Sequence, residues 1–207
     1  MEYSCYRVRK YKKEAAMTFP KYEQLKQYEN DYSLIPIYRE IYADVITPIT
    51  LLRKIAQTED HFYLLESVEG GKQWGRYSFL GFAPTLQLTC RNYKVTVKGG
   101  GMEKEEGERN GMETLRRYLN RYQAPQIEGM PPFTGGFVGY FSYEMIGYAE
   151  PKLLLQPSEF PEYDLMMFDK VIAYDHLKQK ILVIVNYAAN EGEEGYRRAE
   201  LEIGRII

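Results

Sequence analysis

The chain is poor in the residues that staple small folds covalently or through metals. It has two cysteines, two histidines and one tryptophan in 207 residues. Cys5 and Cys90 lie far apart with none of the short spacings of metal ligands, so neither a disulfide framework nor a cysteine-based metal site is expected. His61 and His176 alone do not make a histidine-rich metal centre. No apolar run approaches the roughly 20 residues of a membrane-crossing helix. The charged N-terminus is followed by no apolar stretch of signal-peptide length. No membrane partner is expected, and a reducing cytoplasm fits these absences. Net charge is missing too: 27 Lys and Arg against 29 Asp and Glu leave −2. Nucleic acid is therefore not an expected partner. The one basic run, Arg7-Val8-Arg9-Lys10-Tyr11-Lys12-Lys13, reads as a solvated part of an arm over residues 1–17.

A core is well supplied. The chain is 44% hydrophobic, and 20 tyrosines offer apolar rings whose hydroxyls seek partners at strand surfaces and interfaces. Thr18-Phe19-Pro20 predicts a helix start, with Thr18 as cap and Tyr22, Leu25 and Tyr28 at helical spacing to about Asn30. Leu34 to Tyr38 is extended, because Pro36 pushes Ile35 out of the α region. Thr47-Pro48 opens a second helix with Ile49, Leu52, Ile55 and Ala56 on one face. Residues 85–90 and 93–98 alternate as a hairpin with Arg91-Asn92 at its turn. The glycine-rich segment from Gly99 to Gly111 lacks the Gly-Lys-Ser/Thr ending of a phosphate loop and reads as a surface loop.

Met112 to Tyr122 is predicted helical, with Leu115, Tyr118 and Leu119 inward, and Ala124 to Pro132 is a connector. Gly135 to Phe141 is a strand whose glycines imply close backbone approach or a bulge. Ser142 to Tyr148 is a short helix. Leu165 to Tyr174 and Lys180 to Tyr187 form a hairpin, with Ile181 to Val185 covered on both faces and His176 exposed in the turn. Asn190 caps a last helix carrying Tyr196, Ala199, Ile203 and Ile206. Its apolar ending leads to the expectation that the chain is a piece of a longer protein. The fold class expected is α+β, with antiparallel sheets packed face to face and helices outside.

One stretch organises the functional reading. Phe62 to Leu65 and Ser78 to Phe82 are strand-like runs separated by Gly70-Gly71 and Gly75. Glu66 closes the first run, where a carboxylate must be hydrogen-bonded or meet a positive charge. With the Ser67 hydroxyl and the Arg76 guanidinium near, it can receive the ammonium of a small zwitterion. A turn or a salt bridge accounts for the same residues.

Leu64-Leu65-Glu66-Ser67, followed by Gly75-Arg76-Tyr77-Ser78-Phe79-Leu80-Gly81, resembles the amino-terminal domain of anthranilate synthase component I, among the chorismate-utilising enzymes. The resemblance extends through Ile35-Pro36-Ile37-Tyr38, Thr47-Pro48, Gly135-Gly136-Phe137-Val138-Gly139-Tyr140 and residues 168–176. It covers roughly residues 20–207, and so assigns 18–207 to that domain. It implies that Leu65, Glu66 and Ser67 line a pocket for L-tryptophan, the feedback inhibitor, with a looser carry-over to Arg76, Tyr77 and Ser78. It further implies a four-layer α/β/β/α fold, of which this chain forms about half. Chorismate, the magnesium ion and the acid–base residues are expected in a carboxy-terminal chorismate-binding domain, leaving no catalytic residue and no cofactor here. A glutamine amidotransferase subunit is the implied partner. The alternatives are the aminodeoxychorismate synthase large subunit and a free-standing amino-acid-binding module.

Overall fold

Val, Ile, Leu and Tyr crowd the segments from residue 163 to 188, and their burial sets the architecture. A computed structural model describes residues 17–66, 75–106, 111–150, 152–153 and 158–207. Among the described residues ten strands form two five-stranded antiparallel sheets, and short helices complete the α+β class predicted from sequence. The chain divides into two compact units and passes between them more than once.

The first unit holds residues 1–83, 124–135 and 170–207. Its strands are β1 (Leu34–Tyr42), β2 (Phe62–Leu65), β3 (Tyr77–Phe82), β9 (Lys170–Asp175) and β10 (Lys180–Ala188), in the order β1-β10-β9-β3-β2. The period of two divides the β9–β10 hairpin between two cores. Ile172, Tyr174, Ile181, Val183 and Val185 join one cluster with Leu25, Ile35, Ile37, Tyr196, Ala199 and Ile203. Val171, Ala173, Leu182 and Ile184 face the other way, against Tyr38, Phe79 and Phe133. Both faces of the hairpin are thus covered, as its unbroken apolar run requires. Helix α4 (Gly192–Ile206) supplies Tyr196, Ala199 and Ile203, and Glu193 and Glu194 occupy its first turn beside the positive dipole end. Tyr196 packs between Tyr22 and Tyr187 with ring centroids 5.8 and 6.1 Å away, one use of the abundant tyrosine. Pro36 is accommodated because β1 lies at the sheet edge.

The second unit holds residues 84–123 and 136–169. Its strands are β4 (Leu86–Arg91), β5 (Lys94–Gly99), β6 (Met102–Glu106), β7 (Gly136–Phe141) and β8 (Tyr163–Phe168), in the order β6-β5-β4-β8-β7. Leu88 lies opposite both Val97 and Leu165, and Cys90 opposite both Val95 and Tyr163. Leu115 of helix α3 (Gly111–Arg121) closes this cluster, with Met112 and Tyr118 beside it.

Several expectations need correction. The first helix is short: α1 (Tyr22–Leu25) continues as a 3₁₀ turn over Lys26–Tyr28. Thr18 is no cap. Phe19 pairs with Tyr38 through two backbone hydrogen bonds, and the buried Thr18 hydroxyl accepts from Arg39 Nε at 2.9 Å. In α2 (Pro48–Ile55), capped by Thr47, the inward side chains are Leu51, Leu52 and Ile55, whereas Ile49 is exposed. Leu119 is likewise exposed.

The β4–β5 turn falls at Asn92-Tyr93, one residue later than expected, and both have positive φ as a primed turn requires. Gly100-Gly101, also at positive φ, turn the chain into β6, so part of the predicted surface loop is an edge strand. Residues 165–174 are two strands in different sheets that meet at Asp169. The apolar residues on both sides of Asp169-Lys170 hid that change of sheet. The 1–17 arm lies almost wholly outside the described residues.

Gly139 is needed for close approach. A Cβ there would run into the Asp164 carbonyl of the paired strand. Gly139→Ala is therefore expected to destabilise the chain by about 2 kcal/mol or more. Gly129, with open space around a built Cβ, has only its positive φ to lose, and Gly129→Ala should cost about 1 kcal/mol. Urea denaturation of both variants checks this, and equal losses would refute close approach as the reason for Gly139.

Candidate functional site

The β9–β10 turn and the start of β3 meet because Tyr77 lies opposite Asp175 and Ser78 opposite Tyr174 in the antiparallel register. The same sheet sets β2 against β3, with Leu65 opposite Phe79. Three chain segments distant in sequence therefore converge at one end of the sheet.

Asp175 anchors the group. Its carboxylate is buried, and Arg76 donates to it from Nη2 at 2.6 Å and from Nε at 3.2 Å. Its Oδ1 accepts from the Leu177 and Lys178 amides, both at 3.0 Å, which shapes the turn. Burial works against ionisation of this carboxyl. The Arg76 hydrogen bonds and the two turn amides outweigh it and hold the group below its ordinary value. The Arg76 guanidinium also lies 4.8 Å from the centroid of the Tyr77 ring. Burial, and then the Asp175 charge, push the Tyr77 phenol up.

Ser78 is fully buried, and its hydroxyl has two partners. His176 Nε2 lies 2.7 Å away and Glu66 Oε1 accepts at 3.3 Å. His176 is half-buried, not exposed as the turn position suggested, and its ring stands 4.7 Å from that of Tyr174. Its backbone is held on both sides, the amide donating to Arg76 O at 2.9 Å and the carbonyl accepting from Gln179 Nε2 at 2.7 Å.

Of the residues singled out in the sequence, Glu66, Arg76, Tyr77 and Ser78 come together here. Leu65 ends β2 and is 46% exposed. Glu66 follows it on the surface, and among the described residues Ser78 is its one hydrogen-bond partner. Ser67 lies outside the described residues. Asp175 and His176 were missed as members of the group. Their only signal in the sequence was an Asp-His pair opening a five-residue turn, which reads equally well as exposed.

An apolar cavity of about 380 Å³ lies on the face of the same sheet that carries Ile172 and Val183, lined also by Ile41, Ile55 and Phe82 among others. Cys90 is buried beside the Tyr148 hydroxyl, and burial pushes its thiol up, which makes it unreactive. No cluster of three or more His, Cys, Asp or Glu among the described residues is placed to hold a metal ion. No helix among them is long and apolar enough to cross a membrane.

Comparison with known proteins adds the family context. The family described as chorismate binding enzyme matches residues 60–203. Anthranilate synthase component 1 from Acetivibrio thermocellus is 37% identical over 176 residues, covering 84% of this chain and 35% of that protein. The protein of the same name from Pseudomonas aeruginosa is 34% identical over 190 residues, 89% of this chain and 38% of its own. The chain thus spans little more than a third of the curated relatives it matches. A solved structure, anthranilate synthase component I from Streptococcus pneumoniae, covers 80% of this chain and 35% of its own at 20% identity and a TM-score of 0.49.

The Asp175 carboxyl titrates lower when folded than when unfolded, so its stabilisation is complete above the ordinary carboxylate pKa of about 3.9 and is lost as pH falls through the depressed value. Asp175→Asn keeps a turn-forming side chain and removes the charge. It should lower stability at pH 7 by about 2 kcal/mol, with the difference from wild type shrinking as pH falls below the ordinary carboxylate value. Denaturation at several pH values measures this, and a pH-independent difference would overturn the role of the ion pair.

Proposed function

The chain belongs to the chorismate-binding enzyme family, and on that premise we propose that it is the amino-terminal, tryptophan-binding part of an anthranilate synthase component I. The observation that carries this reading is its similarity, over more than four-fifths of its length, to several relatives bearing that one name. In this reading the whole cytoplasmic enzyme adds ammonia to chorismate and eliminates pyruvate to leave anthranilate. The ammonia comes from glutamine through a separate amidotransferase subunit. Magnesium and the acid–base residues belong to a carboxy-terminal domain outside this chain.

The local chemistry supports a zwitterion at Glu66. Ser78 engages one carboxylate oxygen and leaves Oε2 without a hydrogen-bond partner among the described residues. A ligand ammonium there makes a charge-assisted contact of about 1.5–3 kcal/mol when well formed. Exposed Leu65 offers apolar surface for an indole, and the Tyr77 ring lies on the neighbouring strand. The positive charge of Arg76 is matched by Asp175, so its part is to hold the turn and the Tyr77 ring. Feedback then requires that tryptophan bind one arrangement of the whole enzyme more tightly than another.

Two outcomes are expected. In the full-length enzyme Ser67→Phe fills the pocket and abolishes tryptophan inhibition while anthranilate formation persists. An unchanged inhibition constant would refute the assignment. This 207-residue chain by itself should neither form anthranilate from chorismate and ammonia nor bind tryptophan tightly. Turnover by the isolated chain would place the chemistry here instead, and micromolar binding in calorimetry would show a pocket complete without the rest of the enzyme.

A further inference from the structure

A buried hydroxyl has one proton to give, and that of Ser78 lies between two groups able to take it. If His176 Nε2 is bare, the hydroxyl donates across 2.7 Å to the imidazole and Glu66 Oε1 faces it with no proton between them. If Nε2 carries the proton, the ring donates to Ser78, and Ser78 is free to donate to the carboxylate. Only the second arrangement places a proton in both contacts of the Ser78 hydroxyl. The 3.3 Å contact to Glu66 is long for a hydroxyl–carboxylate bond, which leaves it room to shorten.

The ring is not free to leave. Its backbone is tied to Arg76 and Gln179, its ring lies tilted at 46° beside that of Tyr174, and the preceding Asp175 is locked to Arg76. From these contacts we infer that His176 is a positioning residue for Glu66: its Nε2–H donates to Ser78, whose hydroxyl then donates to Glu66 Oε1 and turns Oε2 outward to meet a ligand amine. The second half of this inference rests on the proposed amino-acid site, while the direction of the relay does not. Ser78 is fully buried, so it serves as a relay and not as a nucleophile. No proton is transferred. The relay fixes which oxygen of Glu66 is engaged.

Two measurements test it. With only two histidines in the chain, ¹⁵N–¹H NMR of the imidazoles, assigned with His61→Asn, reads the tautomer of His176 directly. The expected result is a proton on Nε2 with a cross-peak that shifts in Ser78→Ala. A bare Nε2 in the wild-type chain reverses the relay and overturns the inference, whatever the chain binds.

In the full-length enzyme, His176→Gln keeps an N–H donor at about the same reach and should hold the tryptophan inhibition constant within about threefold. His176→Leu and Ser78→Ala should each raise it about tenfold. Equal losses in the Gln and Leu variants would overturn the positioning role. If wild-type enzyme shows no tryptophan inhibition at all, the proposed ligand is wrong, and the tautomer still decides the relay.

Discussion

A hairpin that is apolar on both faces has to be covered on both, and that demand shapes the first unit of this protein. Residues 171–174 and 181–185 alternate strictly between two cores, so a helix and the flanking strands must close one side and aromatic rings the other. Burial of such strands contributes roughly 25 cal/mol for each Å² of apolar surface removed from water. It also fixes the register, because a slip of one residue would exchange every side chain between the two faces. The turn of this hairpin is thereby delivered to one place, opposite the first residues of β3.

What stands at that place follows from charge. Two carboxylates approach the same sheet end and receive different treatment. Asp175 is buried, and a bidentate guanidinium and two amides satisfy it, so it has nothing left to offer a ligand. Glu66 stays at the surface with one hydroxyl as its hydrogen-bond partner among the described residues, and Oε2 has none among them. A visiting ammonium gains little at the first and a charge-assisted bond at the second. The chemistry that singles out Glu66 is therefore a contrast between neighbours as much as a property of one residue.

Legibility differed by the range over which each feature is decided. Helix α2 was readable from Thr47-Pro48 because capping is settled within four residues. The β4–β5 hairpin and the doubly covered β10 were readable because alternation is local. The glycines of β7 announced a close approach, and Gly139 provides it. The first helix was overdrawn, because Phe19 is drawn into a backbone pairing with Tyr38, nineteen residues away, which no periodicity reports. The break at Asp169 was missed for the opposite reason: apolar runs stand on both sides of Asp169-Lys170 while the pairing partners change.

By itself, the sequence determined the α+β class, the strands bordering Glu66 and the family resemblance of the Leu64–Ser67 and Gly75–Gly81 segments, since each rests on short-range pattern. Only the tertiary structure decided that Arg76 belongs to Asp175 and that Ser78 stands between Glu66 and His176, residues 12 and 98 positions away. Hydrogen bonds between remote side chains depend on strand register, and register is set by how two cores fill at once, a condition that no single stretch of sequence contains.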